Sequence, residues 1–205
     1  MSDLRVSDEA FLRREVVWAA RQMWEKGYVV GTAGNISAYL GDVGQVLITP
    51  SGAPYDSMTP DDIVQCDLAG QKLSGKGRPS SELPVHLAVY SSRPEVRAIV
   101  HTHSVYATAI AVGRTEIPFF LDEMYYVTGA RPIPTAAYAR SGTAELAQNI
   151  VDALGREGKG VLMANHGCLA VGGNIREAYT IAESIEKAAM ILTFARLNGA
   201  VTTLG

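Results

Sequence analysis

Four histidines, His86, His101, His103 and His166, are all that this 205-residue chain contains. Two of them form His101-Thr102-His103 at the end of a short apolar run, Val96 to Val100. If that run is a strand, its two-residue repeat points both imidazoles to one face, where they can share one ion or stand as two half-exposed histidines. His166, in Ala164-Asn165-His166-Gly167, follows a second apolar run, Gly160 to Ala164, and Gly167 offers a turn. Strands of one sheet that finish at one edge bring their last residues together. Three imidazoles there leave one position of a tetrahedral ion open, as a catalytic zinc requires. Standing alone, His166 reads rather as a histidine satisfied by backbone groups. Cys168, two residues on, is a conceivable ligand but reads better as a small buried residue entering the next strand.

Ser80-Ser81-Glu82 is a second constellation. Two hydroxyls at a helix start, with unpaired N–H groups behind them, suit an anion such as phosphate. Glu82 beside them can act as an acid/base group or as a metal ligand. The plainer explanation is an N-cap with an acidic first turn. His86, one turn after Glu82, reads as a packing or hydrogen-bonding partner of that helix rather than a further ligand. Two glycine turns, Gly31-Thr32-Ala33-Gly34-Asn35 and Thr49-Pro50-Ser51-Gly52, also let an anion approach backbone N–H groups, though singly each is an ordinary turn.

The elements that must position these residues follow from the spacing of apolar residues and caps. A helix capped by Ser7 runs to about Lys26 and stops at Gly27, with Phe11, Leu12, Val16, Ala19, Ala20, Met23 and Trp24 as its apolar stripe. Gly34 to Leu40 alternates like a half-buried strand, Gly41 to Gly44 turns, and Val46 to Ile48 returns as a hairpin. Ser80 or Ser81 opens a helix to about Ser91, with Pro84 tolerated in its first turn. Further helices run from Ser104 to Val112 and from Ser141 or Thr143 to Leu154. A last one starts at Asn174, with Glu177 in reciprocal capping position, and ends at Gly199. Interleaved strands and helices imply an α/β fold, and the hairpin makes its sheet mixed or antiparallel.

Composition narrows the function. With 47% apolar residues, 19% charged residues and a net charge of −3, the chain has enough core for one domain over residues 1–205 and no electrostatic footprint for nucleic acid. No apolar run approaches the ~20 residues that span a bilayer, and the first residues mix charges unlike a secretion signal. Cys66 and Cys168 are the only thiols, which fits a reducing cytoplasm.

In order, Thr32-Ala33-Gly34-Asn35-Ile36-Ser37, Ile48-Thr49-Pro50-Ser51-Gly52, Pro79-Ser80-Ser81-Glu82, His101-Thr102-His103 and Asn165-His166-Gly167 resemble the motifs of the class II aldolase/adducin family, over roughly residues 10 to 198. The resemblance implies a three-layer α/β/α sandwich around a mixed, largely antiparallel sheet, and a homotetramer with active sites between subunits. It implies Zn²⁺, with Co²⁺ or Mn²⁺ as substitutes, on His101, His103, His166 and Glu82, the last also able to swing away as acid/base. It places substrate phosphate on Gly34, Asn35, Ser51, Gly52, Ser80 and Ser81. Family aldolases borrow a tyrosine from the neighbouring subunit; Tyr125 fills that role best here, with Asp122 and Glu123 as alternatives for the position. A further catalytic tyrosine of one family aldolase lies in a C-terminal segment beyond the point matching Gly205. The implied reaction is reversible cleavage of a ketose 1-phosphate to dihydroxyacetone phosphate and an aldehyde. Alternatives within the family are a pentulose-phosphate 4-epimerase, a methylthioribulose-1-phosphate dehydratase and a non-catalytic module like the adducin head. A Schiff-base route is disfavoured, because Lys26, Lys72, Lys76, Lys159 and Lys187 fall in loops or near helix ends.

Overall fold

A computed structural model describes residues 2–204, with side chains described from residue 9 onward. The first helix, α1, spans Ser2–Glu25, so the backbone is already helical at Ser7; the side chain of Ser7 lies outside the described residues. The hairpin is β1 (Asn35–Leu40) and β2 (Gln45–Ile48). It is extended by β3 (Val64–Asp67) and β4 (Lys72–Ser74). Then come α2 (Leu83–Ser92), β5 (Ala98–Thr102), α3 (Val105–Val112), α4 (Asp122–Thr128) and the short β6 (Thr135–Ala136). The chain finishes with α5 (Ala144–Leu154), β7 (Gly160–Met163), β8 (Gly167–Gly172) and α6 (Ile175–Asn198).

All eight strands form one sheet in the order β4-β3-β2-β1-β5-β8-β7-β6; only β6 and β7 run parallel. The fold is α/β in three layers, because side chains alternate along each strand and both faces are covered. Val100, Leu162 and Ala170 face α1, α3, α4 and α6, whereas Ile99, Val161 and Leu169 face α2 and α5. Each such fully buried branched residue contributes about 1.5–3 kcal/mol. Two-sided cover also corrects the half-buried reading of β1: its polar residues Asn35 and Ser37 are buried beneath α2 rather than wet.

Other expectations change at element ends. Glu82, not Ser80 or Ser81, is the residue before α2, and neither serine caps the helix. The α1 stripe is narrower than expected: Val16, Ala19, Ala20 and Met23 are buried, while Phe11 and Trp24 are exposed. Glu177 accepts from Gly173 N–H rather than from Asn174, although Asn174 does cap through Glu177 N–H. Strands β3, β4 and β6 and helix α4 are too short for periodicity to reveal.

The sheet edge where β5 ends is braced from α6. Buried Glu186 reaches the first turn of α3, which follows His103, and accepts from Tyr106 N–H (3.0 Å) and Ala107 N–H (2.8 Å). A carboxylate there satisfies two orphan donors and favours the positive helix end. Glu186→Ala is expected to lower stability by about 1–2 kcal/mol, measured by urea denaturation; an unchanged midpoint would show that this borrowed cap is redundant.

Candidate metal centre

The register of the sheet collects the site at one edge. Asn35 lies opposite His101 across β1 and β5, and Thr102 lies opposite Cys168 across β5 and β8. His103 therefore leaves the sheet beside the β7–β8 turn that carries His166. Asn165 makes that turn in the left-handed region (φ 57°), a conformation Asn tolerates. Gly167 serves a different purpose from turning: a Cβ there would collide with the Thr102 carbonyl and crowd the His103 ring. Gly34 combines both needs. Its φ is 73°, and a Cβ would lie 2.6 Å from the His101 carbonyl oxygen.

Packed this way, His101, His103 and His166 hold their ring centroids 4.8–4.9 Å apart, and one nitrogen of each lies within 4.8 Å of the others. Glu82 faces them from the start of α2, with Oε2 2.9 Å from His101 Nε2 and Oε1 3.4 Å from His166 Nε2. His101 Nδ1–H donates to the Cys168 carbonyl (2.9 Å), which leaves Nε2 with a lone pair. That lone pair meets the carboxylate oxygen and, at 3.0 Å, His103 Nε2. Acceptors pointed at one another in a buried place call for a cation between them, and three imidazoles with a carboxylate suit a divalent transition metal. Cys168 is not part of the group: burial pushes its thiol up to about 11, and Sγ lies 3.1 Å from Thr102 Oγ1.

Protonation follows the same geometry. Burial opposes charge on Glu82, but His101, His166 and the Asn35 amide outweigh it and hold the carboxyl well below its usual range. Burial also opposes charge on His101, yet the facing carboxylate raises its pKa. His103 is pushed down to about 3 and His166 is lowered, first by burial and then by their charged neighbour. One proton at most is thus shared where an ion would sit.

Around Glu82 stand residues whose part the sequence did not reveal. Asn35 Nδ2 donates to Oε2 (2.9 Å) and Ser141 Oγ donates to Oε1 (2.9 Å). Asn35 Oδ1 is held by His86 Nε2 (2.5 Å), and His86 Nδ1 by Ser37 Oγ (2.6 Å), which also meets the Tyr90 hydroxyl (2.6 Å). Burial keeps His86 neutral, pushing it down to about 3. The available signal was spacing: Glu82, His86 and Tyr90 recur every four residues, and Asn35, Ser37 and Tyr39 every two.

The six anion candidates share this edge. A bridge between Pro50 and Pro79 and a bond from Ser80 N–H to Thr49 carbonyl (3.2 Å) join the two later turns. The Ser80 hydroxyl accepts from Glu82 N–H (3.3 Å) and keeps its proton to donate, while Ser81 is exposed. Gly52 is open and has φ 73°; Ser51 N–H is already donated to Arg78 carbonyl (2.8 Å), so Ser51 offers its hydroxyl. Gly34 is pinned through its carbonyl by the Tyr55 hydroxyl (2.6 Å). Both polar groups of the Asn35 side chain face Glu82 and His86 instead of an anion. Tyr125 stands apart, exposed on α4, where Glu123 pairs with Lys187 (2.7 Å). Lys72 lies in β4 and Lys187 in the middle of α6 rather than in a loop or near a helix end, but all five lysines are engaged elsewhere: Lys187 as above, Lys26 with Glu183, Lys72 with Gly77 carbonyl, Lys76 with Asp62 and Lys159 with Glu177.

Fold and site together define an α/β/α sandwich with a three-histidine, one-carboxylate centre at the edge of its sheet. The chain belongs to the class II aldolase and adducin family: residues 14–193 match the Class II Aldolase and Adducin N-terminal domain. Within it the chain stands with the metal-dependent aldehyde-lyases. It is 39% identical over 180 residues to a 5-deoxy-D-ribulose 1-phosphate aldolase of Bacillus thuringiensis, covering 87% of this chain and 83% of that one. It is 40% identical over 175 residues to a 5-methylthioribulose-1-phosphate/5-deoxyribulose-1-phosphate aldolase of Escherichia coli, covering 85% and 80%. A solved L-fuculose 1-phosphate aldolase superposes with a TM-score of 0.89 at 35% identity, over 95% of this chain and 90% of that one.

Because metal must displace the proton held between His101 and Glu82, its affinity should fall as pH drops through the raised His101 pKa. Binding should release about one proton per ion in that window. Calorimetry in buffers of different ionisation heat, repeated across pH, checks this; proton release of zero at every pH would contradict the shared-proton geometry.

Proposed function

We propose that the chain, as one domain, reversibly cleaves a ketose 1-phosphate such as L-fuculose 1-phosphate to dihydroxyacetone phosphate and an aldehyde. The observation that carries this reading is the meeting of three imidazoles and Glu82 beside two anion-accepting turns. The names of the three relatives described above, each an aldolase of a ketose 1-phosphate, support the same half of the substrate.

In this reading His101, His103, His166 and Glu82 hold Zn²⁺, for which Co²⁺ or Mn²⁺ can substitute. Bound there, such an ion supplies Lewis acidity, which lowers the cost of negative charge on substrate oxygens by several kcal/mol. Gly34, Asn35, Ser51, Gly52, Ser80 and Ser81 fix the phosphate and so orient the reacting carbons, removing part of the entropic barrier. Asn35 serves either by its backbone or after its amide turns from Glu82. Glu82, ionised in this site, takes the proton from the hydroxymethyl carbon of dihydroxyacetone phosphate in condensation and returns it in cleavage. Tyr125, exposed on α4, reaches the aldehyde oxygen in a neighbouring subunit's site, which requires an assembly; a cytoplasmic homotetramer is the form proposed.

Incubation with L-fuculose 1-phosphate, 5-deoxyribulose 1-phosphate and pentulose 5-phosphates, with an enzymatic assay for dihydroxyacetone phosphate, tests the reaction. A ketose 1-phosphate should release it; epimerisation without release would overturn the reading. Exhaustive chelation should abolish turnover and Zn²⁺, Co²⁺ or Mn²⁺ restore it, whereas full activity of metal-stripped protein would exclude the metal's part. Glu82→Gln should bind a phosphorylated hydroxamate, yet slow solvent exchange of the dihydroxyacetone phosphate carbon-bound hydrogen by roughly 10²-fold or more. Exchange at the wild-type rate would remove Glu82 from that step.

A further inference from the structure

The polar chain that ends on Glu82 runs in one direction only. An ionised Glu82 can only accept, so Asn35 must present its NH₂ to Oε2 and its carbonyl to His86. His86 must then carry its proton on Nε2, which leaves Nδ1 as an acceptor for the Ser37 hydroxyl. Ser37 Oγ is left to accept from Tyr90, whose hydroxyl has no other partner among the described residues. Reversing the sense would turn the Asn35 carbonyl onto the Glu82 carboxylate and leave one hydroxyl proton, that of Ser37 or of Tyr90, without an acceptor, both in a buried place. Asn35, Ser37, Glu82, His86 and Tyr90 are all buried, so no solvent relieves either fault.

An amide is nearly symmetric in shape, and nothing in Asn35 itself selects which end meets Glu82. The Glu82 carboxylate asks for the NH₂ end and His86 holds the carbonyl end, and the Ser37 and Tyr90 hydroxyls are both fully bonded only when His86 carries its proton on Nε2. We propose that His86, oriented by Ser37 and Tyr90, is a positioning residue of the metal centre: it locks the Asn35 amide so that Glu82 Oε2 is held toward the histidines. The inference rests on the metal-centre reading above and adds to it a control on Glu82 from three residues that touch neither ion nor substrate.

The test measures Zn²⁺ affinity of the metal-stripped full chain by competition with a chromophoric chelator, and the visible spectrum of the Co²⁺-loaded protein, with thermal unfolding alongside. His86→Leu, which fills the space but cannot donate, should weaken Zn²⁺ binding about 10- to 100-fold and shift the Co²⁺ bands. His86→Gln places an amide N–H where Nε2 stood, and should return affinity to within about threefold of wild type. Wild-type affinity and spectrum in a folded His86→Leu, or equal losses in Leu and Gln variants, would overturn the proposal. If His86→Leu does not fold, Ser37→Ala decides: weakening of about threefold or more supports it, and unchanged affinity overturns it. A wild-type chain that takes up no divalent ion overturns the metal reading and this inference together, whereas normal wild-type binding with unmoved variants overturns this inference alone.

Discussion

A carboxylate oxygen and an imidazole lone pair stand 2.9 Å apart in a buried place, and that arrangement is tolerable only with a cation between them. Much of the local architecture keeps the two from drifting apart. The Cys168 carbonyl fixes the His101 tautomer, Gly34 and Gly167 let neighbouring backbone close in, and Ser141 and Asn35 each take one oxygen of Glu82. Apolar layers on both sides of the sheet exclude the water that would otherwise screen the charges. The frustration is therefore an organised one, resolved by a proton in the bare chain and available to a metal ion.

Helix α2 lies over β1 in a way that makes this possible. Four residues of helix advance about 6.0 Å and two residues of strand about 6.6 Å, so side chains at those spacings stay matched over two turns. Asn35, Ser37 and Tyr39 thus meet Glu82, His86 and Tyr90 in succession, ending with Tyr39 stacked on Tyr90 at 5.1 Å. A buried polar ladder is costly unless each group is satisfied, and here each is. Its other end is covered by the half-buried ring of Tyr39 stacked on buried Tyr90.

Much of the fold could be read from one sequence. The hairpin, the apolar strands before His101 and His166, and the cap at Asn174 rest on local periodicity and local hydrogen bonds, which sequence encodes directly. Strands β3 and β4, of four and three residues, and helix α4, of seven, could not, because segments so short carry too little pattern and owe their form to neighbours. β1 was legible as a strand but not as a doubly covered one. Asn35 and Ser37 look like a wet face until α2 is placed on them.

His101, His103 and His166 are metal-ligand types placed at strand ends, and their chemistry was legible before any fold existed. That they converge with Glu82, and that Asn35, His86, Ser37, Tyr90 and Ser141 stand behind Glu82, was decided only by tertiary structure. The reason is physical. A residue's type fixes what it can donate or accept, whereas its partner depends on distances of a few tenths of an ångström set by sheet register and helix placement.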